Sequence, residues 1–381
     1  MHFRLDEEQE AFASSVRQFA RAQLRESAVA LAHDPAYPWD LARTLAKNNL
    51  LGIALPEEDG GQGGSLMDAV IAIQELALVS PKAADVVQAG SFGAIRTLAE
   101  YATPEQKGRF LPGLLAGDEL LGLGMTESEA GSAVTELRTS ARQEGSDYVV
   151  NGTKVFSTHS PDATVFLVYV RYGPGVGGIG SVLVERDTPG LTVGASHAYM
   201  SGEEWAELHF EECRIPAENV LLGPGGFKKQ IAGFNVERVG NSARSLALGR
   251  YAFNEARDHA LTREQFGKPL CEFQGLQWKF ADMAIKLDAA QLLLYRAATN
   301  LENGLPSPYD TSVAKAACNL AGFDVANEAL QVMGGLGYST DSLVEYCLRR
   351  TRGWMIAGGS VEILKNRIAE SIFDRRFDQR T

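Results

Sequence analysis

The sequence predicts a multi-domain α+β protein in which a segment of β-strands lies between two helical segments. Apolar residues recur with helical spacing up to about residue 120 and again after residue 226. Between 121 and 225 the pattern mostly alternates with a period of two, which is typical of half-buried strands. We therefore expect an N-terminal helical domain at 1–120, a middle β domain at 121–225 and a C-terminal helical domain at 226–381.

The composition of the 381-residue chain is that of a globular protein with a large core, 45% hydrophobic and 22% charged. Its formal net charge of −12 argues against a nucleic-acid partner, because phosphate binding requires a basic surface. No apolar run is long enough to cross a bilayer, and the acidic N-terminus lacks the core of a signal peptide. These features favour a cytoplasmic protein with no membrane insertion.

The cysteines and histidines show no metal-ligand spacing. The six histidines are scattered along the chain, so we expect no metal site. Isolated cysteines without a C-x-x-C pair are typical of reduced, packed thiols. These cysteines are Cys213, Cys271, Cys318 and Cys347.

Helix-start signals define the N-terminal segment. Asp6 precedes a run with helical spacing, and Thr103 followed by Pro104 is typical of an N-cap and a first helical residue. The glycine-rich loop 59–65 ends one helical block, and Leu66–Val79 opens another.

Short strands are predicted in the middle segment. The Asn151-Gly152 pair predicts a tight hairpin between two short strands within 148–156. Further strands are expected at 164–171, 181–185 and 206–210. The glycine-rich segment 173–180 joins two of these strands and does not open a helix, so a hairpin loop is favoured over a phosphate-binding loop.

The C-terminal segment is predicted to begin with a helix near Glu237. Residues 234–238 follow a turn-rich stretch at 223–227, so we expect Glu237 at a helix start, beside Arg238. Taken alone, this pattern favours a solvated acid that stabilises the helix terminus. Groups of glycine and proline then divide the remaining chain into long helices.

Four short blocks have ordinary structural interpretations when each is considered alone. They suit a capped turn at 126–132, an edge strand at 151–159, an inter-helix loop at 262–269 and a glycine-capped helix end at 331–338. Together and in this order, however, the chain resembles the acyl-CoA dehydrogenase family over essentially its whole length. The blocks match the family patterns T-E-P-x-A-G-S, N-G-x-K-x-W/Y-I-T-N, E-R-x-Q-F-G-K-P and Q-x-x-G-G-x-G-Y.

Two positions in these blocks depart from the family pattern. Ser128 replaces a proline and His159 replaces an asparagine. The resemblance implies an N-terminal helical domain, a middle β-barrel or sandwich domain and a C-terminal four-helix bundle.

The resemblance also implies FAD as cofactor. Phe156 would stand at the flavin ring, where the family usually has Trp or Tyr, and Thr158 would donate toward flavin N5. Some of these residues would complete the FAD site of a neighbouring subunit, which implies a homotetramer or at least a dimer. The residues assigned to the cofactor by the resemblance are Met125, Thr126, Ser132, Phe156, Thr158, Arg263, Phe266, Gln274, Gln331, Gly335, Ser360 and Glu362.

The family reaction implied is α,β-dehydrogenation of an acyl thioester to the trans-2-enoyl thioester. Many members carry the catalytic base in a Y-E-G-T segment, but here the matching residues 357–360 read Ala-Gly-Gly-Ser, with Gly358 at the base position. Isovaleryl- and long-chain-type members carry the base earlier, in a segment like L-D-x-E-R-L. Residues 234–239 match that segment, which makes Glu237 the expected base. Ser132, Arg238 and Gly358 are expected to contact the substrate.

Alternatives remain open at this stage. One is a biosynthetic enzyme whose acyl group rides on a carrier protein, or an enoyl-thioester reductase of the same fold. Another is a flavin-free scaffold. The retained cofactor residues argue against it, namely Thr126, Ser132, Thr158 and Arg263. The resemblance further implies fatty acid metabolism and an electron-transfer flavoprotein as acceptor, but it does not specify acyl chain length or branching.

Overall fold

The computed structural model describes residues 4–302 and 304–377, apart from the side chain of residue 302. The chain forms two compact units, each assembled from separate stretches. The helical unit contains the chain up to His33, Ser65–Gln88 and the chain from Asn235 onward. The sheet unit contains Asp34–Gly64 and Ala89–Phe234. The predicted order of helical, sheet and helical segments is confirmed, whereas the domain boundaries at 120 and 225 stay predictions.

Helices account for most of the described chain outside 121–225. They are α1 (Glu7–Gln23), α2 (Ala28–His33), α3 (Trp39–Lys47), α4 (Leu66–Ala77), α5 (Pro81–Ser91), α6 (Ala94–Tyr101), α7 (Pro104–Ala116), α8 (Phe227–Thr262), α9 (Gln274–Thr299), α10 (Pro308–Met333), α11 (Gly335–Tyr338), α12 (Leu343–Trp354) and α13 (Val361–Ile372). Short 3₁₀ turns occur at Glu57–Asp59, Val134–Glu136, Val176–Gly178, Ala217–Asn219 and Leu270–Glu272.

The predicted helix starts at Asp6 and Thr103 are confirmed. The Asp6 carboxylate accepts a hydrogen bond from the backbone N–H of Gln9 at 2.8 Å, and the Gln9 side chain bonds back to the Asp6 N–H. Thr103 and Gln106 form the same reciprocal pair at the start of α7. Such pairs satisfy two of the backbone donors that a helix start leaves unpaired.

Nine strands form one sheet in the sheet unit. They are β1 (Leu121–Gly124), β2 (Ser140–Glu144), β3 (Asp147–Thr158), β4 (Val165–Arg171), β5 (Ile179–Glu185), β6 (Leu191–Val193), β7 (His197–Ala198), β8 (Glu204–Ile215) and β9 (Val220–Leu222). The sheet order is β6-β8-β3-β2-β4-β5-β9, with β1 parallel to β4 and β7 paired to β8. Two small hairpins lie outside this sheet: β10 (Glu264–Gln265) with β11 (Lys268–Pro269), and β12 (Leu301–Glu302) with β13 (Leu305–Pro306).

The prediction of a hairpin at Asn151-Gly152 is wrong. Both residues lie inside the continuous strand β3, which pairs with β8. Gly152 takes a φ of 147°, where the register with β8 shifts, and a Cβ on it would lie 2.6 Å from Thr139 Oγ1. Long-range pairing with β8 therefore overrides the local turn signal. Gly152 lies at the irregularity in this pairing, where a bulge is often formed by glycine.

The glycine-rich segment between β4 and β5 is confirmed as a hairpin loop. β4 and β5 pair antiparallel over their whole length, and both are almost entirely buried. Arg171 closes the loop by donating from Nη1 to the carbonyl oxygen of Gly175 at 2.7 Å. Leu167 and Leu183 join one core cluster with Phe110 of α7.

The expected position of Glu237 at a helix start is also wrong. Helix α8 begins at Phe227, directly after the glycine-rich turn, so Glu237 lies well inside it. Gly233 lies inside α8 and packs against Thr97, whose Oγ1 would lie 2.7 Å from a Cβ at this position. The environment of Glu237 is therefore set by tertiary packing and not by a free helix terminus.

Other expectations concern cysteines, metals and membranes. Cys213, Cys318 and Cys347 are buried free thiols, and Cys271 is partly buried. Among the described residues no group of three or more His, Cys, Asp or Glu side chains could hold a metal ion. None of the helices in the described part of the chain is both long and apolar enough to cross a membrane.

Candidate active site

The Glu237 carboxylate lies in the helical unit, enclosed by side chains of two helices. Its side chain is only 19% exposed. Gln88 on α5 donates from Nε2 to Glu237 Oε2, and Arg244 Nη2 lies 3.9 Å from Oε1. One oxygen is therefore held by an amide, while the other faces a cation beyond direct hydrogen-bond distance.

Helical periodicity explains why these groups meet. Asn241 and Arg244 follow Glu237 by four and seven residues, so the three side chains share one face of α8. On α5, Asp85 and Gln88 are three residues apart and share a face as well. The two faces are joined by Gln88–Glu237 and by Arg244 Nη1 with Asp85 Oδ1 at 3.1 Å.

Asp85 is the centre of a buried ionic network that fixes Arg244. Its Oδ2 accepts from Arg350 Nη2 at 2.7 Å and from the Tyr346 hydroxyl at 3.4 Å. Both guanidinium groups lie within 5 Å of the Trp354 ring centre, at 4.7 Å for Arg244 and 4.8 Å for Arg350. Burial alone would raise the pKa of Asp85, but the facing Arg350 and Arg244 lower it, so the carboxylate stays ionised.

Burial gives Glu237 the properties of a base. Loss of hydration raises the pKa of its carboxyl to about 7, although Arg244, Lys315 and the hydrogen bond from Gln88 all oppose the rise. A carboxylate with a pKa near neutrality is partly ionised at neutral pH and far more basic than a solvated one. The site therefore suits proton abstraction from a weak carbon acid.

Lys315 is a fully buried cation close to this carboxylate. It lies on α10 and donates from Nζ to the carbonyl oxygens of Trp354 and Gly359, each at 3.0 Å. Burial lowers its pKa to about 7, and nearby Arg238 adds to this effect. The ammonium thus fixes the end of α12 and the following loop.

Gly358 lies in the loop after α12, beside the side chains of Lys315 and Asn241. A Cβ on it would lie 3.4 Å from Lys315 Cε and 3.8 Å from Asn241 Nδ2. Since Asn241 is one helical turn from Glu237, the Gly358 loop and α8 converge on one region of the helical unit. Gly358 has a φ of +72°, a conformation that favours glycine.

Arg238 faces a different neighbourhood from Glu237. Its Nη1 donates to Asn235 Oδ1 at 2.9 Å, and its Nη2 would lie 3.6 Å from a Cβ on Gly359. Burial, reinforced by Arg367, lowers the pKa of Arg238 to about 10. Arg244, Lys315 and Gln88, rather than Arg238, hold the charge of Glu237.

The sequence predictions did not include most of the groups around Glu237. Asn241 and Arg244 could have been found from their spacing of four and seven residues from Glu237 along an expected helix. Lys315 could have been found as the only charged residue in the apolar run 313–318, a pattern typical of a buried charge. Asp85 and Gln88 carry no such signal, because only tertiary packing brings α5 to α8.

In the sheet unit, an ion pair joins two of the four sequence blocks. Lys154 Nζ lies 2.7 Å from Glu127 Oε1 and 3.2 Å from the Met125 carbonyl oxygen. Glu127 also accepts from the Thr139 N–H and hydroxyl at 2.9 and 2.6 Å. Burial lowers the pKa of Lys154 to about 8, while Lys154 and Thr139 overcome burial to lower that of Glu127. This pair aligns the loop after β1 with strand β3.

Phe156 and its neighbours form an exposed aromatic platform. Phe156 has a φ of +56° and is 56% exposed, with its ring centre 4.6 Å from that of Trp205. The Tyr199 hydroxyl donates to the Phe156 carbonyl oxygen at 2.9 Å, and Thr158 Oγ1 lies 3.4 Å from the same hydroxyl. Exposed rings beside hydroxyl donors suit a flat heteroaromatic ligand.

The other predicted residues of the sheet unit lie in the loop that follows β1. Met125 and Thr126 are partly buried, and the Thr126 carbonyl oxygen accepts from the Val155 N–H at 2.8 Å. This bond brings Thr126 to the strand segment that carries Phe156. Ser132 is exposed further along the loop.

The predicted cofactor residues of the helical unit lie at helix ends. Phe266, 95% exposed, and Arg263 follow the end of α8, and Gln274 begins α9. Gln331 and Gly335 are exposed at the end of α10. Ser360 caps α13 by accepting from the Ile363 N–H at 3.4 Å, and Glu362 lies in its first turn. The exposed ring of Phe266 suits contact with another molecule.

Comparison with protein-family models matches nearly the whole chain. The models described as acyl-CoA dehydrogenase N-terminal, middle and C-terminal domain match residues 6–118, 122–213 and 224–373, respectively. Among curated relatives, the chain is 33% identical over 386 aligned positions to a 3-sulfinopropanoyl-CoA desulfinase of Paraburkholderia xenovorans, covering 99% of each chain.

Solved structures show the same relationship. Butyryl-CoA dehydrogenase from Megasphaera elsdenii has a TM-score of 0.91 and 30% identity, covering 98% of this chain and 100% of that one. A glutaryl-CoA dehydrogenase of Mycobacterium smegmatis in complex with FADH2 has a TM-score of 0.91 and 26% identity, covering 98% and 97%.

Proposed function

Because the chain belongs to the acyl-CoA dehydrogenase family, an FAD-dependent family of oxidoreductases, we propose that it removes the α-proton of an acyl-CoA thioester with Glu237 and forms the trans-2-enoyl product. The observation that carries the proposal is the enclosed Glu237 carboxylate. It combines burial, a pKa raised to about 7, and an Oε1 atom without a hydrogen-bond partner among the described residues.

The chain offers suitable groups for FAD in both units. In the sheet unit these are the Phe156 platform, with Thr158 and the loop at Met125–Thr126. In the helical unit they are the exposed Arg263 and Phe266, whose guanidinium and ring suit a pyrophosphate and an adenine. The chemistry that FAD supplies when bound is acceptance of the β-hydrogen as a hydride.

The residues around Glu237 have separate tasks in this mechanism. The Glu237 carboxylate takes the proton that the thioester carbonyl acidifies. Gln88 fixes the orientation of the carboxylate, and Arg244 and Lys315 keep a useful fraction of it ionised near neutral pH. Gly358 leaves open the space from which other members present their base.

We also propose that the enzyme is a homotetramer whose subunits complete one another's FAD sites. Trp278, Ile285 and Leu292 are exposed at seven-residue intervals along α9, so they form an apolar stripe on one face. Arg263, Phe266, Gln331 and Gly335 are the residues proposed to reach a neighbouring FAD. An electron-transfer flavoprotein as acceptor, a role in fatty acid metabolism and a cytoplasmic location are further parts of this proposal.

The site argues against only one of the three alternatives, the flavin-free scaffold. Burying the Glu237 carboxylate lowers the stability of the fold, as its raised pKa indicates. A flavin-free scaffold without catalytic activity would gain nothing in return for this loss. A carrier-protein-linked dehydrogenase or an enoyl reductase would use the same catalytic groups. These two are distinguished by the choice of thioester and by the direction of the reaction.

The test is anaerobic reduction of the bound flavin by a panel of acyl-CoA and acyl-carrier thioesters. Glu237→Gln should keep flavin and ligand binding and slow bleaching of the flavin band by ~10²–10⁴-fold, the usual contribution of a general base. Glu255→Gln, on the exposed side of the same helix, is the control and should reduce flavin normally. If Glu237→Gln is reduced at the wild-type rate, Glu237 is not the base.

A further inference from the structure

Arg244 faces two carboxylates in the helical unit and is bonded to only one of them. Its Nη1 lies 3.1 Å from Oδ1 of Asp85, whereas its Nη2 lies 3.9 Å from Oε1 of Glu237, beyond hydrogen-bond distance. Asp85 and Glu237 therefore compete for one guanidinium, and Asp85 holds it.

Two residues of α12 fix the Asp85 carboxylate. Its second oxygen, Oδ2, accepts from Arg350 Nη2 at 2.7 Å and from the Tyr346 hydroxyl at 3.4 Å, while Oδ1 accepts from Arg244. Asp85 is only 8% exposed, so water competes little for either oxygen. Each oxygen of this carboxylate therefore binds a different guanidinium.

The ring of Trp354 adds a second restraint on Arg244. The guanidinium carbon of Arg244 lies 4.7 Å from the centre of this ring, a distance at which the cation is attracted to the π-face. Arg244 extends from α8, the helix that carries Glu237, but its guanidinium is held by α5 and α12. These contacts keep its free Nη2 away from the base.

We propose that Asp85 is a positioning residue for the base, which holds Arg244 and so prevents a direct ion pair between Arg244 and Glu237. This inference rests on the proposed function of Glu237. A direct bond from a guanidinium would stabilise the ionised carboxylate and weaken it as a base. At 3.9 Å Arg244 still favours ionisation of Glu237, while Oε1 stays available for the substrate's proton.

Other groups also act on these two carboxylates. Those that face Glu237 are Arg244, Lys315 on α10 and Gln88 on α5. Burial raises the pKa of Glu237 to about 7, although all three oppose the rise. Those that face Asp85, apart from Arg244, are Lys82 on α5 and Arg350, Tyr346 and Cys347 on α12. Arg244 faces both carboxylates, so it can transmit a change at Asp85 to Glu237.

The two partners of the Asp85–Arg244 ion pair should have opposite effects on the base. Asp85→Asn frees Arg244 to bond Glu237 directly, so the pKa of Glu237 should fall by about one unit or more. Arg244→Gln removes a cation that lowers this pKa, so the pKa should rise. In an Arg244→Gln background, Asp85→Asn should cause no fall, because the group through which it acts is gone. A purely structural role of the ion pair would not give opposite signs.

The experiment measures the pH at which Glu237 ionises in the holoenzyme. Infrared difference spectra record the loss of protonated carboxyl bands as the pH rises, and the band that is missing in Glu237→Gln identifies Glu237. The pH profile of kcat/KM for flavin reduction by an acyl-CoA should move with this midpoint. Asp310→Asn is the matched control, because Asp310 is another buried helix aspartate and pairs with Arg296 at 3.0 Å. It should leave the midpoint in place.

A second variant protects the test against loss of folding. Asp85→Asn leaves Arg244 and Arg350 buried without their shared carboxylate, which is destabilising. Combining Asp85→Asn with Arg350→Gln removes one cation together with the carboxylate, and this variant should show the same downward shift. Arg350→Gln alone keeps Asp85 bonded to Arg244 and should show no downward shift.

The outcomes separate this inference from the proposed function. An unchanged or raised midpoint in the folded Asp85 variants would overturn the positioning role, and so would a full downward shift in the Arg244→Gln background. The infrared titration does not depend on the reaction. If Glu237→Gln reduces its flavin at the wild-type rate while the midpoints shift as expected, the proposed function fails and the coupling of Asp85 to Glu237 through Arg244 holds.

Discussion

Gln88 donates a hydrogen bond from Nε2 to Oε2 of Glu237, so an amide on α5 holds one oxygen of the carboxylate on α8. The other oxygen faces Arg244 at 3.9 Å without a direct hydrogen bond. The carboxylate is therefore fixed at one atom and available at the other. The Gln88 bond therefore affects both the orientation of the carboxylate and its pKa.

The first prediction concerns Gln88. Gln88→Leu removes the hydrogen bond that favours the ionised form, so the pKa of Glu237 should rise by about one unit or more. The pH profile of kcat/KM for flavin reduction should shift to higher pH by the same amount. Gln74→Leu is the control, because Gln74 also bonds an amide in the helical unit, that of Gln291. An unchanged profile in Gln88→Leu would show that the bond does not tune the base.

The second prediction concerns pH and Lys315. Only ionised Glu237 can accept a proton, so kcat/KM should rise with pH and level off above a value near the pKa of about 7. Lys315 lowers the pKa of Glu237, so Lys315→Met should move this rise to higher pH. Because Lys315 itself titrates near 7, the wild-type profile reports the pair and should be broader than a single titration.

Lys286→Met is the control for this shift. Lys286 is a surface lysine of α9 that pairs with Asp324 at 2.8 Å, and its removal should leave the profile in place. A wild-type rate that falls as pH rises from 6 to 8 would contradict a carboxylate base in the helical unit.

The third prediction concerns Gly358. Its φ of +72° costs an L-residue about 1–2 kcal/mol, so Gly358→Ala should lower the free energy of unfolding by that amount. Adding Gly358→Glu to Glu237→Gln should restore part of the rate of flavin reduction, because the Gly358 loop and α8 converge beside Asn241. Denaturant titration and stopped-flow reduction measure the two effects. A folded, flavin-loaded double variant with no recovered rate would show that the two positions do not serve one α-carbon.

The order of helical and strand segments was predictable because periodicity of apolar residues is a local property. The start of α8 was not, since the turn-rich stretch at 223–227 marks a boundary without specifying the residue at which the helix begins, and the helix begins at Phe227. The hairpin at Asn151-Gly152 failed for a similar reason, because pairing of β3 with β8 outweighed a two-residue turn signal. Local rules describe each element, but long-range contacts decide where it ends.

The candidate site follows the same division. Glu237 and Gly358 could be picked from sequence because family patterns mark both positions. Gln88 and Asp85 could not, since they lie about 150 residues from Glu237 and no pattern links α5 with α8. The groups that determine the pKa of Glu237 are therefore brought together only by tertiary packing.

The last prediction concerns the Glu127–Lys154 pair of the sheet unit. Lys154 is fully buried, and its removal leaves a largely buried Glu127 with only the neutral donors of Thr139 and Arg138 N–H. Breaking a buried ion pair from one side typically costs about 3–5 kcal/mol, so Lys154→Met should be strongly destabilising in denaturant titration. Lys154→Met combined with Glu127→Gln should recover much of that loss, because no unpaired charge remains.

The control for this pair is the exposed Arg214–Glu144 contact in the same unit. Arg214→Met should leave the denaturation midpoint unchanged, since exposed ion pairs contribute little. The Lys154 variant should also lose FAD more readily on dilution, because the ion pair aligns the Met125–Thr126 loop with the strand that carries Phe156. A Lys154→Met protein with wild-type stability and FAD retention would show that backbone hydrogen bonds alone, such as Val155 N–H to the Thr126 carbonyl oxygen, hold this loop in place.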